Sequence, residues 1–333
     1  MIRADHSGNV LVTGATGFVG SNLVRALSQK GYTVTCLVRK TSNTHALRKE
    51  SVRLVIGDLD DTTAIREAGR SIDTVYHLAG AIKAANRRQY FQINQFGTRR
   101  LLETMAEINP GLKRFVHVSS LAAVGPSIDG QSRTEEQKPD PISWYGESKL
   151  AAEEEVLRFR EVFPVTILRP SAVYGPGDHE TLLIYRMIKR GCLLTPGRHQ
   201  RRFSLIHVED LAAACIRAGE QDTPSGEIFF LSRSESYCWE EVGHAIARAL
   251  GKHYRQVSLP RGIAVAAGFV GDLWAKTTGW PASVNSQKVR ELLEPCWLCD
   301  SSKAQTHLGF SPIIELEAGI QQTARWYQSQ GWL

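Results

Sequence analysis

The chain has 333 residues, of which 42% are hydrophobic and 22% charged, and its formal net charge is +6. This balance is typical of a globular protein with one large or two unequal domains. The basic residues form no block of five, and we find no RNA-binding aromatic motif, zinc finger or basic zipper, which argues against a nucleic-acid partner. The mild positive charge suits an anionic cofactor or substrate.

The first 170 residues alternate between strand patterns and helix patterns. We predict strands at residues 10–12, 33–38, 52–56, 74–78, 115–118 and 165–168. The clearest helical patterns lie at residues 19–30, 94–108 and 145–163. This alternation predicts βαβ units, and hence an α/β fold with a Rossmann-type, doubly wound parallel sheet. Such sheets bind ligands at the carboxyl ends of their strands.

The pattern changes after Tyr174, where turn signals separate shorter helices and irregular segments. We therefore divide the chain into a first domain, residues 1–173, and a C-terminal region, residues 174–333. The C-terminal region is expected to be a smaller α+β cap that binds the substrate. Two of its strands, at residues 204–208 and 228–231, are expected to join the main sheet.

The longest apolar stretch runs over residues 263–275 and is shorter than the ~18 residues that a membrane-spanning helix needs. It is interrupted by two glycines and an aspartate. We expect a core or lid helix here, and an interfacial membrane helix is the alternative. Its aromatic side chains could also line an apolar pocket. No membrane span is expected in this chain.

The beginning of the chain and its cysteines bear on where the protein works. No basic segment followed by a long apolar one opens the sequence, so we expect no signal peptide. The six cysteines lack a disulfide framework, which favours reduced thiols and a cytoplasmic location. Cys296 and Cys299 form one C-x-x-C motif without the second pair or nearby histidines that zinc needs, so we expect no metal site.

A glycine-rich turn stands between the first predicted strand and the first predicted helix. Gly14, Gly17 and Gly20 have the spacing G-x-x-G-x-x-G. Glycines let the backbone approach a pyrophosphate, and the amino end of the helix attracts its negative charge. The turn therefore predicts a dinucleotide site. Residues 1–173 are accordingly expected to form an NAD(P)-binding domain.

The residue at the end of the second strand indicates which of the two nicotinamide cofactors, NAD or NADP, the protein prefers. An acid there would bind the ribose hydroxyls of NAD, whereas the chain has Arg39, which can hold the 2′-phosphate of NADP. NADP is therefore favoured over NAD, and a solvated strand end is the alternative. Asp58, after the third strand, could accept a hydrogen bond from adenine or simply form a turn. Small residues after the fourth strand, at positions 78–80, would let the cofactor ribose pass.

Tyr145 and Lys149 are four residues apart in a predicted helix and so share one helix face. A lysine ammonium beside a phenol favours phenolate, which should lower the pKa of Tyr145 toward the working range. The pair provides a proton donor and acceptor beside the predicted dinucleotide site.

These features together resemble the extended short-chain dehydrogenase/reductase family, in its NAD-dependent epimerase/dehydratase branch. The matching motifs extend through most of the chain. They are T-G-A-T-G-F-V-G at 13–20, G-D-L at 57–59, H-L-A-G at 77–80, N-Q-F-G-T at 94–98, V-S-S at 118–120, Y-G-E-S-K at 145–149, R-P-S-A-V-Y-G-P-G-D at 169–178 and H-V-E-D-L-A at 207–212.

The resemblance implies roles for individual residues. Ser120, with Ser119 as its competitor, would hydrogen-bond the substrate oxygen, Tyr145 would transfer the proton, and Lys149 would hold the cofactor ribose. Asn94 would lie in the helix beside this site, or be a satisfied polar helix residue. The implied cofactor-binding positions are Gly14, Thr16, Gly17, Phe18, Val19, Gly20, Arg39, Asp58, Leu59, Leu78, Ala79, Gly80, Tyr145, Lys149, Pro170 and Val173.

Departures from the sequence patterns of individual subfamilies limit the reactions that this chain is expected to catalyse. Sugar dehydratases of this family have an Asp-Glu pair after the fifth strand, and this chain has none. Nucleotide-sugar epimerases usually have a tyrosine where this chain has Val124, and an arginine for the diphosphate where it has Phe203. The chain is more similar to 3β-hydroxysteroid dehydrogenase-like and dihydroflavonol reductase-like proteins. Hopanoid-associated sugar epimerase-like proteins are also similar.

Three functional hypotheses remain. The leading one is an NAD(P)-dependent oxidoreductase acting on a secondary alcohol or ketone of a bulky small-molecule substrate, with Tyr145 as general acid or base. The second is an NAD-dependent nucleotide-sugar epimerase that recycles its cofactor. The third is a non-catalytic nucleotide-binding scaffold, which the presence of the serine, tyrosine and lysine argues against. Family members often dimerise, so a homodimer is possible.

Overall fold

The computed structural model describes residues 8–197, 201–280, 282 and 284–333. Residues 1–7, on which the expected lack of a signal peptide depends, lie outside the described part. The strands in chain order are β1 (Asn9–Thr13), β2 (Thr33–Val38), β3 (Val52–Ile56), β4 (Thr74–His77), β5 (Arg114–Val118), β6 (Val165–Pro170), β7 (Ala172–Tyr174), β8 (Cys192–Pro196), β9 (Arg202–His207), β10 (Glu227–Leu231), β11 (Ser236–Cys238), β12 (Arg255–Leu259) and β13 (Cys296–Trp297).

Helices connect most of these strands. They are α1 (Phe18–Gln29), α2 (Thr62–Gly69), α3 (Arg87–Phe91), α4 (Gly97–Ile108), α5 (Trp144–Arg158), α6 (His179–Lys189), α7 (Val208–Glu220), α8 (Trp239–Leu250), α9 (Arg261–Thr278), α10 (Ser286–Leu293), α11 (Ser302–Leu308) and α12 (Leu316–Ser329). Single 3₁₀ turns occur at His45–Leu47 and Leu121–Ala123, and a π-helical turn at Gln92–Phe96 precedes α4.

The central sheet has seven strands in the order β10-β6-β5-β4-β1-β2-β3. Every pairing in this sheet is parallel. Alternate residues of a strand point to opposite faces, so Val10 and Val12 pack against α1 and α7, while Leu11 packs against the layer formed by α2 and α4. Helices cover both faces, and the prediction of a Rossmann-type doubly wound sheet is confirmed.

The C-terminal residues contribute to three sheets, one of which is the two-stranded parallel sheet of β8 and β12. β10 pairs with β6 in the central sheet, as predicted for residues 228–231. The prediction for residues 204–208 was wrong, because β9 forms a second sheet with β7, β11 and β13. β9 is parallel to β7 and antiparallel to β11, and these strands pack on a third core built largely from α6, α8 and α12.

The strand order reverses at β1, which lies between β4 and β2. The connections after β1 and after β4 therefore leave the sheet toward opposite faces and open a crevice at the carboxyl ends of these strands. A cavity of about 490 Å³ lies there, and α10 with the residues before it forms its outer wall. The fold thus places the glycine turn and the C-terminal region on two sides of one site.

Candidate active site

The turn between β1 and α1 brings the backbone against the end of β4. Gly14 has a φ of +73°, and a Cβ on it would lie 2.6 Å from the Ala79 nitrogen. A Cβ on Gly20 would overlap the Gly14 carbonyl oxygen. Both positions require glycine for these reasons. Gly17 is the N-cap of α1 and has no capping side chain, which leaves the first amides of the helix for a phosphate.

The lining of the cavity fits a dinucleotide, because a side chain at Gly14 or Gly20 would fill the cradle where a pyrophosphate has to approach. Most of the predicted site residues line this cavity. They are Gly14, Gly17, Phe18, Val19, Gly20, Leu78, Gly80, Ser120, Tyr145, Lys149, Pro170 and Val173.

The other predicted residues are not part of this lining, and they are Thr16, Arg39, Asp58, Leu59, Ala79 and Asn94. Arg39 is exposed directly after β2. The Asp58 carboxylate accepts a hydrogen bond from the Asp60 nitrogen at 2.9 Å, as a turn aspartate does. Leu59 packs into the core beside Gly97.

Asn94 is buried in the π-helical turn and binds main chain rather than pointing into the cavity. Its Oδ1 accepts from the Ala81 nitrogen at 2.7 Å, and its Nδ2 donates to the Ala81 carbonyl at 3.1 Å and to Ser148 Oγ at 2.8 Å. Asn94 therefore joins the segment after β4 to helix α5. π-Helical turns often occur at functional sites, and the sequence pattern did not reveal this one.

Ser120, Tyr145 and Lys149 come together from two elements. Ser120 follows β5 and begins a 3₁₀ turn by accepting a hydrogen bond from the Ala122 nitrogen. Tyr145 lies in the first turn of α5, which Ser143 caps. Ser120 and Tyr145 are hydrogen-bonded to each other. Lys149 is buried, and its Nζ donates to the Val118 carbonyl at 2.7 Å.

The pKa of Tyr145 differs from the sequence-based expectation. Burial raises it to about 12, although the hydrogen bond with Ser120 works in the opposite direction. Burial also lowers the pKa of Lys149 to about 8, and the nearby Glu153 carboxylate opposes that decrease. The Lys149 ammonium is directed at a backbone carbonyl, and burial is the largest influence on the pKa of the phenol. Tyr145 is therefore protonated at neutral pH.

Ser119 makes a different set of contacts from Ser120. Its hydroxyl donates to Glu153, which is buried and pairs with Arg169 of β6. The Arg169 Nε and Nη2 both donate to this carboxylate, at 3.0 and 2.6 Å. Good geometry and additional hydrogen bonds, such as the one from Ser119, offset the cost of burying a charge pair of this kind. The pair fixes α5 to the sheet one turn after Lys149, and the sequence analysis missed it.

Helix α10 reaches the amino end of α5 from the C-terminal region. The Glu291 carboxylate accepts from Ser143 Oγ at 2.6 Å, and Gln287 Oε1 accepts from the Trp144 nitrogen at 3.1 Å. Asn285 and Lys288 also line the cavity. The wall opposite the glycine turn is thus bonded to the helix turn that holds the tyrosine. These contacts join residues far apart in sequence, and no local pattern could indicate them.

Comparison with known proteins matches residues 10–231 to the model of the NAD dependent epimerase/dehydratase family. The chain belongs to this family. It is 34% identical over 335 residues to a ceramide reductase of Caulobacter vibrioides, with 100% of this chain and 98% of that protein covered. It is 28% identical to a 3 beta-hydroxysteroid dehydrogenase/Delta 5-->4-isomerase of Mycobacterium tuberculosis, with 97% and 91% covered.

Among solved structures, MoeE5 in complex with UDP-glucuronic acid and NAD matches 97% of this chain and 100% of its own, with 25% identity and a TM-score of 0.78. The expected membership of the epimerase/dehydratase branch of the extended short-chain dehydrogenase/reductases is thereby confirmed. The family consists of NAD-dependent oxidoreductases and epimerases, so this chain is an enzyme of that general kind.

Three further observations concern the described part of the chain as a whole. In the part of the chain that the structure describes, no cluster of three or more His, Cys, Asp or Glu side chains could hold a metal ion. Among the same residues, no helix has both the length and the hydrophobicity required to cross a membrane. All six cysteines, including Cys296 and Cys299, are unpaired.

Proposed function

We propose that the protein is an NAD(P)-dependent oxidoreductase that interconverts a ketone and a secondary alcohol on a bulky apolar substrate. The observation that carries this proposal is the hydrogen-bonded pair of Tyr145 and Ser120, which faces the glycine turn across one cavity and has Lys149 beside it. Residues 174–333 form the substrate-binding region in this proposal.

The side chains of the site have separate tasks in ketone reduction. A nicotinamide cofactor, when bound, supplies the hydride. Tyr145 donates a proton to the carbonyl oxygen, and its raised pKa keeps that proton on the phenol at neutral pH. Ser120 donates a second hydrogen bond to the same oxygen as negative charge develops there. Lys149 binds the ribose hydroxyls and keeps a positive charge beside the phenol.

NADP is the proposed cofactor, with NAD as the alternative. Arg39 is exposed at the end of β2, where an acidic residue would repel a 2′-phosphate. The support for NAD is that MoeE5 holds NAD in its solved structure.

The proposed substrate class rests on the relatives and on two arginines. Both full-length relatives reported above are named for lipid-like molecules. Arg201 and Arg202, which stand beside the position where epimerases have a diphosphate-binding arginine, bind protein groups instead. Arg201 donates to the carbonyls of Pro196 and Leu293, and Arg202 to Ser236. Phe203 packs on Trp239 with 4.9 Å between ring centres.

The second candidate is a nucleotide-sugar epimerase that recycles NAD. One specific observation favours it: MoeE5, which matches nearly the whole chain, was solved with UDP-glucuronic acid. In that reaction Tyr145 would remove a proton and return it, and no net cofactor would be used.

The same proposal places the enzyme in the cytoplasm as a homodimer. The unpaired cysteines support a reducing compartment. Exposed apolar side chains beside α4, Ile93 and Phe96, support pairing of subunits through the helices around the site.

A substrate panel tests the proposal. Purified protein is given NADPH or NADH with long-chain and sterol-type ketones, and separately NAD with UDP-sugars. We expect ketone-dependent oxidation of the reduced cofactor, faster with NADPH, and its loss in Tyr145→Phe while fluorescence titration still shows cofactor binding. Interconversion of UDP-sugars without net change in cofactor would contradict the proposal and favour the epimerase.

A further inference from the structure

Helix α9 has one buried face made of small residues. Ala264, Gly268, Gly271 and Ala275 recur at three- and four-residue intervals and are buried where α9 packs on α10. A Cβ on Gly268 would lie 3.1 Å from the Ser286 Cα. The two helices therefore approach closely, and one face of α9 is fully used in this contact.

The opposite face of α9 exposes large apolar side chains. Each is between 56% and 74% exposed, and they are Ile263, Phe269, Val270, Leu273, Trp274 and, just after the helix, Trp280. The hydroxyls of Thr277 and Thr278 bond to carbonyls of their own helix and add little polarity. Of the expected core or lid helix at residues 263–275, the core part was therefore wrong. Contiguous apolar surface of this kind marks an interaction site.

The segment of the chain that contains α9 has charges of one predominant sign. Residues 251–280 contain Lys252, Arg255, Arg261 and Lys276 and one acid, Asp272, a net charge of +3 out of +6 for the whole chain. All four basic residues are exposed. The Asp272 carboxylate accepts a hydrogen bond from the Ser286 nitrogen on the α10 side. Two of these basic residues, Arg261 and Lys276, lie in α9 itself, and their positive charge complements an anionic surface.

We propose that the exposed face of α9 docks on an anionic lipid bilayer and lies in its interface. Tryptophans beside aliphatic residues, with basic side chains nearby, are the composition of interfacial helices. Ala282 and Asn285, which come after α9 in the sequence, line the cavity. Docking therefore brings the wall of the cavity to the membrane. The idea that docking helps a lipid substrate to enter the cavity rests on the proposed function, whereas the docking itself depends only on α9.

Vesicle flotation of the full chain tests this docking. Vesicles of phosphatidylcholine with phosphatidylglycerol are compared with vesicles of phosphatidylcholine alone. We expect binding to the anionic vesicles, weakened by salt, and a blue shift of tryptophan emission. The triple variant V270Q/L273Q/W274Q should lower the partition into vesicles more than about tenfold. The double variant L183Q/I313Q, which changes exposed apolar residues outside α9, should bind like the wild type.

Three outcomes would overturn the docking. They are a wild type that stays with the buffer, a triple variant that still floats, and a wild-type dimer that the triple variant converts to monomer without any vesicle binding. The last would assign the face to a second copy of the chain. Circular dichroism and turnover of a water-soluble ketone without vesicles verify the fold of the variants. Absence of all ketone turnover alongside normal flotation would reject the proposed function and leave the docking in place.

Discussion

Ser119 and Ser120 are neighbours in the chain, and their hydroxyls form hydrogen bonds with different partners. The Ser119 hydroxyl is bound to the buried Glu153, whereas Ser120 is bonded to Tyr145. Sequence motifs could place the serine only to within one position. Sequence motifs also could not predict the direction in which the pKa of Tyr145 changes, because that direction depends on how deeply the folded chain buries the phenol.

The contacts of the two serines predict different effects of alanine substitution. In Ser120→Ala, kcat for ketone reduction should fall about a hundredfold or more, as happens when one hydrogen-bond donor to a developing oxyanion is lost. Ser119→Ala, the matched control, should keep kcat within a few-fold and lose mainly thermal stability. Steady-state kinetics and melting curves of both variants measure this difference. Equal losses of kcat would contradict the assignment of Ser120.

Helices and strands differ in how far the sequence specifies them. The buried strands of the central sheet were predicted because their apolar runs are local features, and helix α5 begins within one residue of its predicted start. The sheet to which β9 belongs was not predictable, because strand pairing joins residues far apart. The exposed face of α9 was missed for the same reason: only the folded chain shows which side α10 covers.

The contacts of helix α10 with the start of helix α5 predict that a substitution in α10 will affect catalysis. Glu291→Ala removes the hydrogen bond to Ser143, the residue that caps the helix turn carrying Tyr145. We expect kcat/KM for the ketone to fall roughly tenfold, since a hydrogen bond to a charged group contributes about 1.5–3 kcal/mol. Cofactor affinity, measured by fluorescence, should stay unchanged.

Arg290→Ala is the matched control, because this neighbour on the same helix is exposed. It should leave both kinetic parameters and cofactor affinity at wild-type values. A Glu291→Ala enzyme with unaltered kcat/KM would show that α10 forms a wall without positioning the catalytic turn.

In the whole molecule, two parts of the chain line one cavity. The Rossmann-type sheet provides the glycine turn, Ser120, Tyr145 and Lys149, and motifs along the sequence indicated all of these. The C-terminal region provides α10 and the cavity wall, which follow no local motif. The side of the cavity formed by the glycine turn was therefore predictable from sequence motifs, whereas the side formed by α10 required the tertiary structure.

In the proposed reaction, hydride moves from the cofactor to a substrate carbon and stays there. NADPH carrying deuterium at the transferable position of its nicotinamide, incubated with the enzyme and an accepted ketone, tests it directly by mass spectrometry of the product. We expect an alcohol that retains one deuterium, formed in equal amount to the oxidised cofactor. A product without deuterium, or turnover in which the cofactor is not consumed, would contradict the claim.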